Sequence, residues 1–251
     1  MNTIAITTTN NTLAKKAQHL AAQLNIEYVS TDNTTHTYLL ILTPDHLALQ
    51  KTSDKKTKPF YIDFLAGKIR YRCQQASLRK ELLAKALGAS PRDALSIVDA
   101  TAGLGRDSFI LATLGFEVTL IERSPIIHAL LNDALTRAKL APETATAAER
   151  LHLVHADAIT WLQAPKNNPD IVYLDPMFPE KQKSAANKKE MVILQDLLGK
   201  DLDADVLFET ALTCGARRIV VKRPRLAENI ANRKPNFSML GKSSRFDVYL
   251  T

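Results

Sequence analysis

A chain of 251 residues is long enough to bury a full core, either as one large α/β domain or as one domain with a small appendage. Its composition, 45% hydrophobic and 24% charged, is ordinary for a globular protein, and no apolar run approaches the ~20 residues that span a bilayer. Lys and Arg (33) outnumber Asp and Glu (26) by 7, a balance that favours a polyanionic partner without naming one.

The opening MNTIAITTTNNTLAKK lacks a basic head followed by an apolar stretch, so no secretory leader is expected. Cys73 and Cys214 stand far apart, with no Cys or His at ligand spacing. Free thiols in a reducing, cytoplasmic setting are expected, and no metal site.

The chain shows no internal repeat and no low-complexity tract. Residues 1–75 read as a small α+β N-terminal domain. Strands are expected at Thr3–Ile6, Glu27–Ser30 and Tyr38–Leu42, with a helix at Leu13–Leu24. Lys51–Lys58 (KTSDKKTK) reads as an exposed loop, and Pro59–Phe64 with Lys68–Arg72 as a hairpin around Gly67.

Residues 76–251 alternate between strand and helix. A helix over Leu78–Leu87 stops at Gly88. Strand Ser96–Asp99, helix Ser108–Leu114 and strand Glu117–Ile121 follow. Ser124 and Pro125 read as the N-cap and first residue of a helix running to Leu140. Then come strands Leu151–His155 and Ile171–Leu174, helices near Lys189–Leu198 and Ala204–Cys214, and strand Arg218–Lys222. A hairpin of Phe237–Leu240 and Phe246–Leu250 closes the chain. Segments such as IVYL and RIVVK are apolar without alternation, as in a sheet covered on both faces. The pattern is a doubly wound sheet with an antiparallel end.

In such sheets ligands bind beyond the carboxyl ends of the strands, and two motifs lie there. The first is a glycine turn: Asp99 ends a strand, Gly103 and Gly105 permit a tight turn, and a helix opens near Asp107. A dinucleotide fingerprint wants a third glycine where this chain has Ser108, and Asp107 would repel a pyrophosphate. A dehydrogenase is therefore disfavoured. A ligand with a cationic amino group and no phosphate, such as S-adenosylmethionine, fits better. Glu122, 19 residues after Gly103, can accept both ribose hydroxyl protons, and Asp157, after the third strand, can accept from the adenine amine. Arg106 and Arg123 either neutralise these acids or lie on the surface.

The second motif is Asp175-Pro176-Met177-Phe178, at the end of a fourth strand. It resembles the (Asn/Asp)-Pro-Pro-(Tyr/Phe) signature of methyltransferases acting on planar nitrogens. An exocyclic amine on a base is a poor nucleophile because its lone pair is delocalised into the ring. Asp175 and the Pro176 carbonyl can accept its two N–H bonds and orient the nitrogen. Phe178 can stack on the base. Met177 departs from the second proline of the signature. Lys181, Lys183, Lys188 and Lys189 follow this loop, and Lys222, Arg223 and Arg225 follow the fifth strand; both groups can contact RNA phosphates. These residues leave three acceptors open: RNA, DNA adenine and a protein amide. A non-catalytic RNA-binding factor on the same fold is also possible.

The strings DATAGLGRD, IERSP, VYLDPMFPEKQKSA, KKEM, VVKRP and RFDVY resemble the ribosomal RNA small subunit methyltransferase J family, from about Leu78 to the end and more weakly through LTPDHLAL and YIDFLAGK. The resemblance implies a Rossmann-like class I methyltransferase sheet with an antiparallel C-terminal hairpin. It implies S-adenosylmethionine as donor and guanine N2 in small-subunit (16S) ribosomal RNA, free or in a ribosomal particle, as acceptor; the lack of a long apolar run leads to no expected membrane partner. It also implies cofactor contacts at Arg106, Asp107, Glu122, Arg123, Asp157, Ala158 and Asp175, beside the turn residues Asp99 and Gly103. One departure stands out: family members carry a glycine-rich stretch before Arg79, where this chain has Ala76, Ser77 and Leu78.

Overall fold

Short apolar strands at the start of the chain build a sheet of their own. The computed structural model describes residues 3–54, 56–176, 193, 197 and 203–251. It begins with β1 (Ile4–Thr8), α1 (Ala14–Leu24), β2 (Glu27–Tyr28), β3 (Tyr38–Leu42) and β4 (Leu47–Lys51). Their order is β2-β1-β3-β4, with β1 parallel to both neighbours and β3 antiparallel to β4. Helix α1 buries Ala17 and Ala21 and ends at Asn25 in the left-handed region. The sequence does not announce β4, because no glycine marks its turn. Thr43 closes it instead: Oγ1 accepts from His46 N at 3.0 Å and donates to His46 O at 2.8 Å.

The expected hairpin of residues 59–64 with 68–72 does not form. Phe60 makes an isolated antiparallel bridge to Leu49, and Gly67–Gln75 is a helix, α2. Gly67, at φ 63°, turns the chain into that helix. Ile69 and Cys73, four apart, pack inward, and Arg72 reaches the carboxylate of Asp107.

The second sheet and its flanking helices follow as α3 (Leu82–Leu87), β5 (Ile97–Asp99), α4 (Arg106–Thr113), β6 (Val118–Glu122), α5 (Pro125–Leu140), α6 (Ala145–Glu149), β7 (Leu151–His155), α7 (Ala158–Gln163), β8 (Ile171–Leu174), α8 (Ala204–Thr213), β9 (Arg218–Pro224), β10 (Phe237–Leu240) and β11 (Ser244–Leu250). The strand order is β10-β11-β9-β8-β5-β6-β7. Strands β5 to β9 are mutually parallel and β11 runs against both of its neighbours. The chain moves outward from β5 through β6 and β7, then returns to β8 and β9 on the other side. That reversal beside β5 opens a crevice at the carboxyl ends of β5 and β8.

Alternate strand residues supply two apolar layers. Ile97, Leu120, Tyr173 and Val220 face α4 and α5; Val98, Ile121, Val172 and Val221 face α7 and α8. The first layer continues into the small sheet through Ile6, Leu40, Leu49 and Phe64. Phe64 stacks on Phe109 of α4 with centroids 4.1 Å apart. Arg137 of α5 donates to the carbonyl of Ile62 and pairs with Asp133 at 2.9 Å.

Ser124 caps α5 as expected, accepting from Ile127 N at 3.3 Å, and Gly88 ends α3 at φ 60°. The short helices α6 and α7 carry no capping box and are not evident in the sequence. The helix expected near 189–198 lies largely outside the described residues; Ile193 and Leu197 are helical and pack on the first layer. Among the described residues no helix is long and apolar enough to cross a membrane.

Candidate active site

The glycine turn is held from below and from the side by carboxylates. Asp99, 3% exposed at the end of β5, accepts from Thr101 N at 3.1 Å and from Ser108 Oγ at 2.5 Å. Burial pushes its carboxyl up to about 7, against the pull of those two donors. Asp99 therefore lies beneath the turn and sets its shape. Ser108, which occupies the place of a dinucleotide fold's third glycine, is its fully buried partner.

Gly103 and Gly105 both have positive φ, 51° and 67°. They serve different ends. A Cβ on Gly105 would lie 2.8 Å from Leu131 Cδ1 and 3.4 Å from Phe64 Cζ, so packing requires glycine there. A Cβ on Gly103 would meet nothing closer than Thr101 O at 3.8 Å, so that side of the turn is open to a ligand.

Glu122 ends β6 and is 5% exposed. Its carboxylate accepts from Gly103 N at 3.0 Å and Ser124 N at 2.7 Å, tying the turn to the start of α5. Asp157 follows β7, is exposed, and caps α7 by accepting from Thr160 N at 2.9 Å; Ala158 is the buried first residue of that helix. The structure thus brings Gly103, Glu122, Asp157 and Ala158 to adjacent strand ends. Arg106 is exposed at the start of α4, and Arg123 pairs with Asp203 ahead of α8 at 2.6 Å.

A second cluster joins the turn to the loop after β8. Asp107, in the first turn of α4, binds Arg72 Nη1 at 3.0 Å, Lys222 Nζ at 2.7 Å and Tyr173 OH at 2.8 Å. Lys222 also binds Asp175 Oδ2 at 2.7 Å, and Asp175 N donates to Thr101 Oγ1 at 2.6 Å. Arg72 reaches Glu81 as well, at 2.7 Å. Burial pushes the Asp107 carboxyl upward, but Lys222 and Arg72 outweigh it and hold the group well below the usual carboxylate range. Burial lowers Lys222 while Asp175 and Asp107 raise it further, so the ammonium stays charged. Burial and the nearby carboxylates push the Tyr173 phenol well above its ordinary value and keep it a donor.

Pro176 is buried behind Asp175; Met177, Phe178 and Lys181 to Lys189 lie outside the described residues. The expectation that Lys222 and Arg223 contact phosphates is corrected. Lys222 points into the site, and Arg223 folds onto the Glu228 carbonyl, with Nε at 3.0 Å. Arg225 reaches the Gly241 carbonyl at 3.4 Å. Sequence reasoning also missed Arg72, Thr101 and Tyr173. Alternation along RIVVKRP was the available signal for Lys222. It places Val220 and Lys222 on the face shared by Tyr173, whose register partner is Val220.

An open doubly wound sheet with one inserted antiparallel strand, a glycine turn after its central strand and acids at the next two strand ends defines a Rossmann-like class I methyltransferase. Residues 19–251 match the family model described as "Putative SAM-dependent methyltransferase". A protein from Thioalkalivibrio sulfidiphilus named "Ribosomal RNA small subunit methyltransferase J" is 45% identical over 99% of this chain and 98% of its own length. One of the same name from Coxiella burnetii is 42% identical over 99% and 97%. A solved SAM-dependent methyltransferase from Neisseria gonorrhoeae superposes with a TM-score of 0.76 at 33% identity, over 98% of this chain and 95% of that one. The chain belongs to the ribosomal RNA small subunit methyltransferase J family of S-adenosylmethionine-dependent methyltransferases.

Glu122→Ala is expected to weaken S-adenosylmethionine binding about 10- to 100-fold, because charge-assisted hydrogen bonds contribute about 1.5–3 kcal/mol each. Calorimetric titration of the full chain checks this; unchanged affinity would remove Glu122 from the cofactor site.

Proposed function

We propose that this protein transfers a methyl group from S-adenosylmethionine to the exocyclic N2 of a guanosine in small-subunit (16S) ribosomal RNA. The observation that carries this reading is the position of Asp175. It leaves β8 beside the glycine turn, tied to that turn through Thr101 and fixed by Lys222. The name of the relatives supports ribosomal RNA, and the Asp175-Pro176-Met177-Phe178 string supports a planar nitrogen.

The residues at the strand ends fit the donor. The open side of Gly103, the buried Glu122 carboxylate and exposed Asp157 suit a ligand with an adenosine and a cationic amino acid. In this reading Glu122 holds the ribose hydroxyls and Asp157 with the backbone of Ala158 holds the adenine. Gly103, Arg106 and Arg123 line the approach. When bound, S-adenosylmethionine supplies a methyl group on a cationic sulfur, an electrophile strong enough for a weak amine.

Asp175 and the Pro176 carbonyl accept the two N–H bonds of the base amine. They orient its lone pair and stabilise the positive charge that grows on nitrogen. Phe178 stacks on the base, which must leave its helix to be reached. The nitrogen then gives its extra proton to water, so no strong general base is required. We assign residues 1–75 to a small N-terminal domain and 76–251 to the methyltransferase domain, working in the cytoplasm where the ribosomal particle is found.

Incubation with labelled donor and separate pools of RNA, DNA and protein tests the acceptor. Label is expected in small-subunit ribosomal RNA as N2-methylguanosine. Label only in DNA or protein would overturn the reading, and binding without turnover would favour a non-catalytic RNA-binding factor.

A further inference from the structure

The helix that the sequence disguised as a hairpin carries an uncompensated cationic face beside the site. Between Phe64 and Lys80 five residues are Lys or Arg and none is Asp or Glu. Arg72 alone of these turns inward, to Asp107 and Glu81. Lys68, Arg70, Arg79 and Lys80 are exposed, and none forms an ion pair with a described residue. Surface cations in folded domains are commonly interspersed with acids, and their absence here leaves a local positive field.

An aromatic ring lies within that field. Tyr71 is 68% exposed. Helical spacing places Lys68, Tyr71 and Gln75 on the stripe that contains Arg72. Arg72 binds Asp107, and Asp107 shares Lys222 with Asp175. The stripe therefore runs along the rim of the crevice through which an acceptor must reach Asp175. Exposed cations without acids match a phosphate backbone, and a solvent-facing ring between them matches an unstacked base. An acidic protein surface would use the cations and leave Tyr71 without a role.

Building on ribosomal RNA as substrate, we propose that α2 and the turn after it form the RNA-docking surface of this enzyme. Lys68, Arg70, Arg79 and Lys80 contact phosphates flanking the target nucleotide, and Tyr71 stacks on a neighbouring unpaired base. The surface acts on binding and leaves the chemistry at Asp175 untouched.

The test uses the full chain and small-subunit ribosomal RNA transcribed in vitro. Binding is followed by fluorescence anisotropy from about 50 to 200 mM salt, a range over which phosphate contacts weaken strongly. The variant K68Q/R70Q/R79Q/K80Q is expected to bind at least about 10²-fold more weakly and to flatten the salt slope by about 3, at about 0.7 for each phosphate of single-stranded RNA that is no longer neutralised. Tyr71→Ala is expected to bind about 10-fold more weakly, the worth of one base stack, and Tyr71→Phe to restore affinity. Calorimetric affinity for S-adenosylmethionine is expected to stay unchanged in all three, which also reports that they fold. Wild-type RNA affinity and slope in the charge variant, with RNA methylation by the parent intact, would overturn the docking surface alone. Failure of the parent chain to bind or methylate the RNA would overturn the substrate reading and the docking surface with it.

Discussion

Replacing Asp175 with alanine is expected to lower methyl transfer roughly 10²- to 10³-fold, the usual loss when a preorganised partner of developing charge is removed. Affinity for S-adenosylmethionine is expected to stay within a few-fold. The glycine turn, Glu122 and Asp157 are untouched, and the backbone N–H of residue 175 still donates to Thr101 Oγ1. Asp175→Asn keeps an acceptor oxygen but removes the charge, and leaves Lys222 facing Asp107 alone. Its rate is expected to fall between those of the alanine variant and the parent. Single-turnover transfer of labelled methyl groups, run beside calorimetry, separates binding from chemistry. Wild-type turnover by the alanine variant would remove Asp175 from the amine site. A fall in cofactor affinity equal to the fall in rate would recast Asp175 as a cofactor ligand only.

The contrast between legible and hidden parts of this site follows from the range of the interactions involved. Buried parallel strands write themselves as apolar runs, so IVYL falls on its observed residues. The acids Glu122 and Asp157 were legible because parallel topology sends strand ends to one edge of the sheet. The segment GKIRYRCQQ was not legible. Its basic residues at 68, 70 and 72 alternate as on a strand, and no side-chain cap marks its start. Packing of Ile69 and Cys73 and the reach of Arg72 to Asp107 decide for helix, and those partners lie far along the chain.

Asp107 shows the same limit from the other side. The sequence reveals a carboxylate near the helix start, where it argues against a pyrophosphate. It does not reveal that the carboxylate anchors cations from α2 and β9, 35 and 115 residues away. Ser108 reads as a missing glycine and proves to be the strut under Asp99.

Lys222 joins the turn to the start of the loop after β8, and Lys222→Met is expected to produce the second large loss. The Lys222 side chain is 27% exposed, and its ammonium lies 2.7 Å from both Asp107 and Asp175. Removing one member of a buried ion pair costs about 3–5 kcal/mol, and partial exposure with Arg72 still on Asp107 lowers the expectation to about 2 kcal/mol. The Asp107 carboxyl is held low in the folded protein. Its stabilising contribution is therefore complete above the unfolded value of about 3.9 and is lost as pH falls through the folded value. Lys222 is held high, so its contribution is complete below about 10.4 and is lost as pH rises through its raised folded value. The stability gap between parent and variant is thus expected to be flat from about pH 5 to 9 and to narrow toward pH 3 as carboxylates protonate. Urea unfolding across that range measures it, and a gap that stays constant to pH 3 would mean packing of the lysine stem, not its charge, is what matters. Methyl transfer is expected to fall by about 10²-fold, since a misplacement near 1 Å has that effect and Lys222 holds the Asp175 carboxylate at 2.7 Å. Lys222→Arg retains the charge but replaces a compact ammonium with a planar fork that cannot sit between the same two oxygens. It is expected to recover much of the stability and little of the rate, which separates the electrostatic role of Lys222 from its positioning of Asp175.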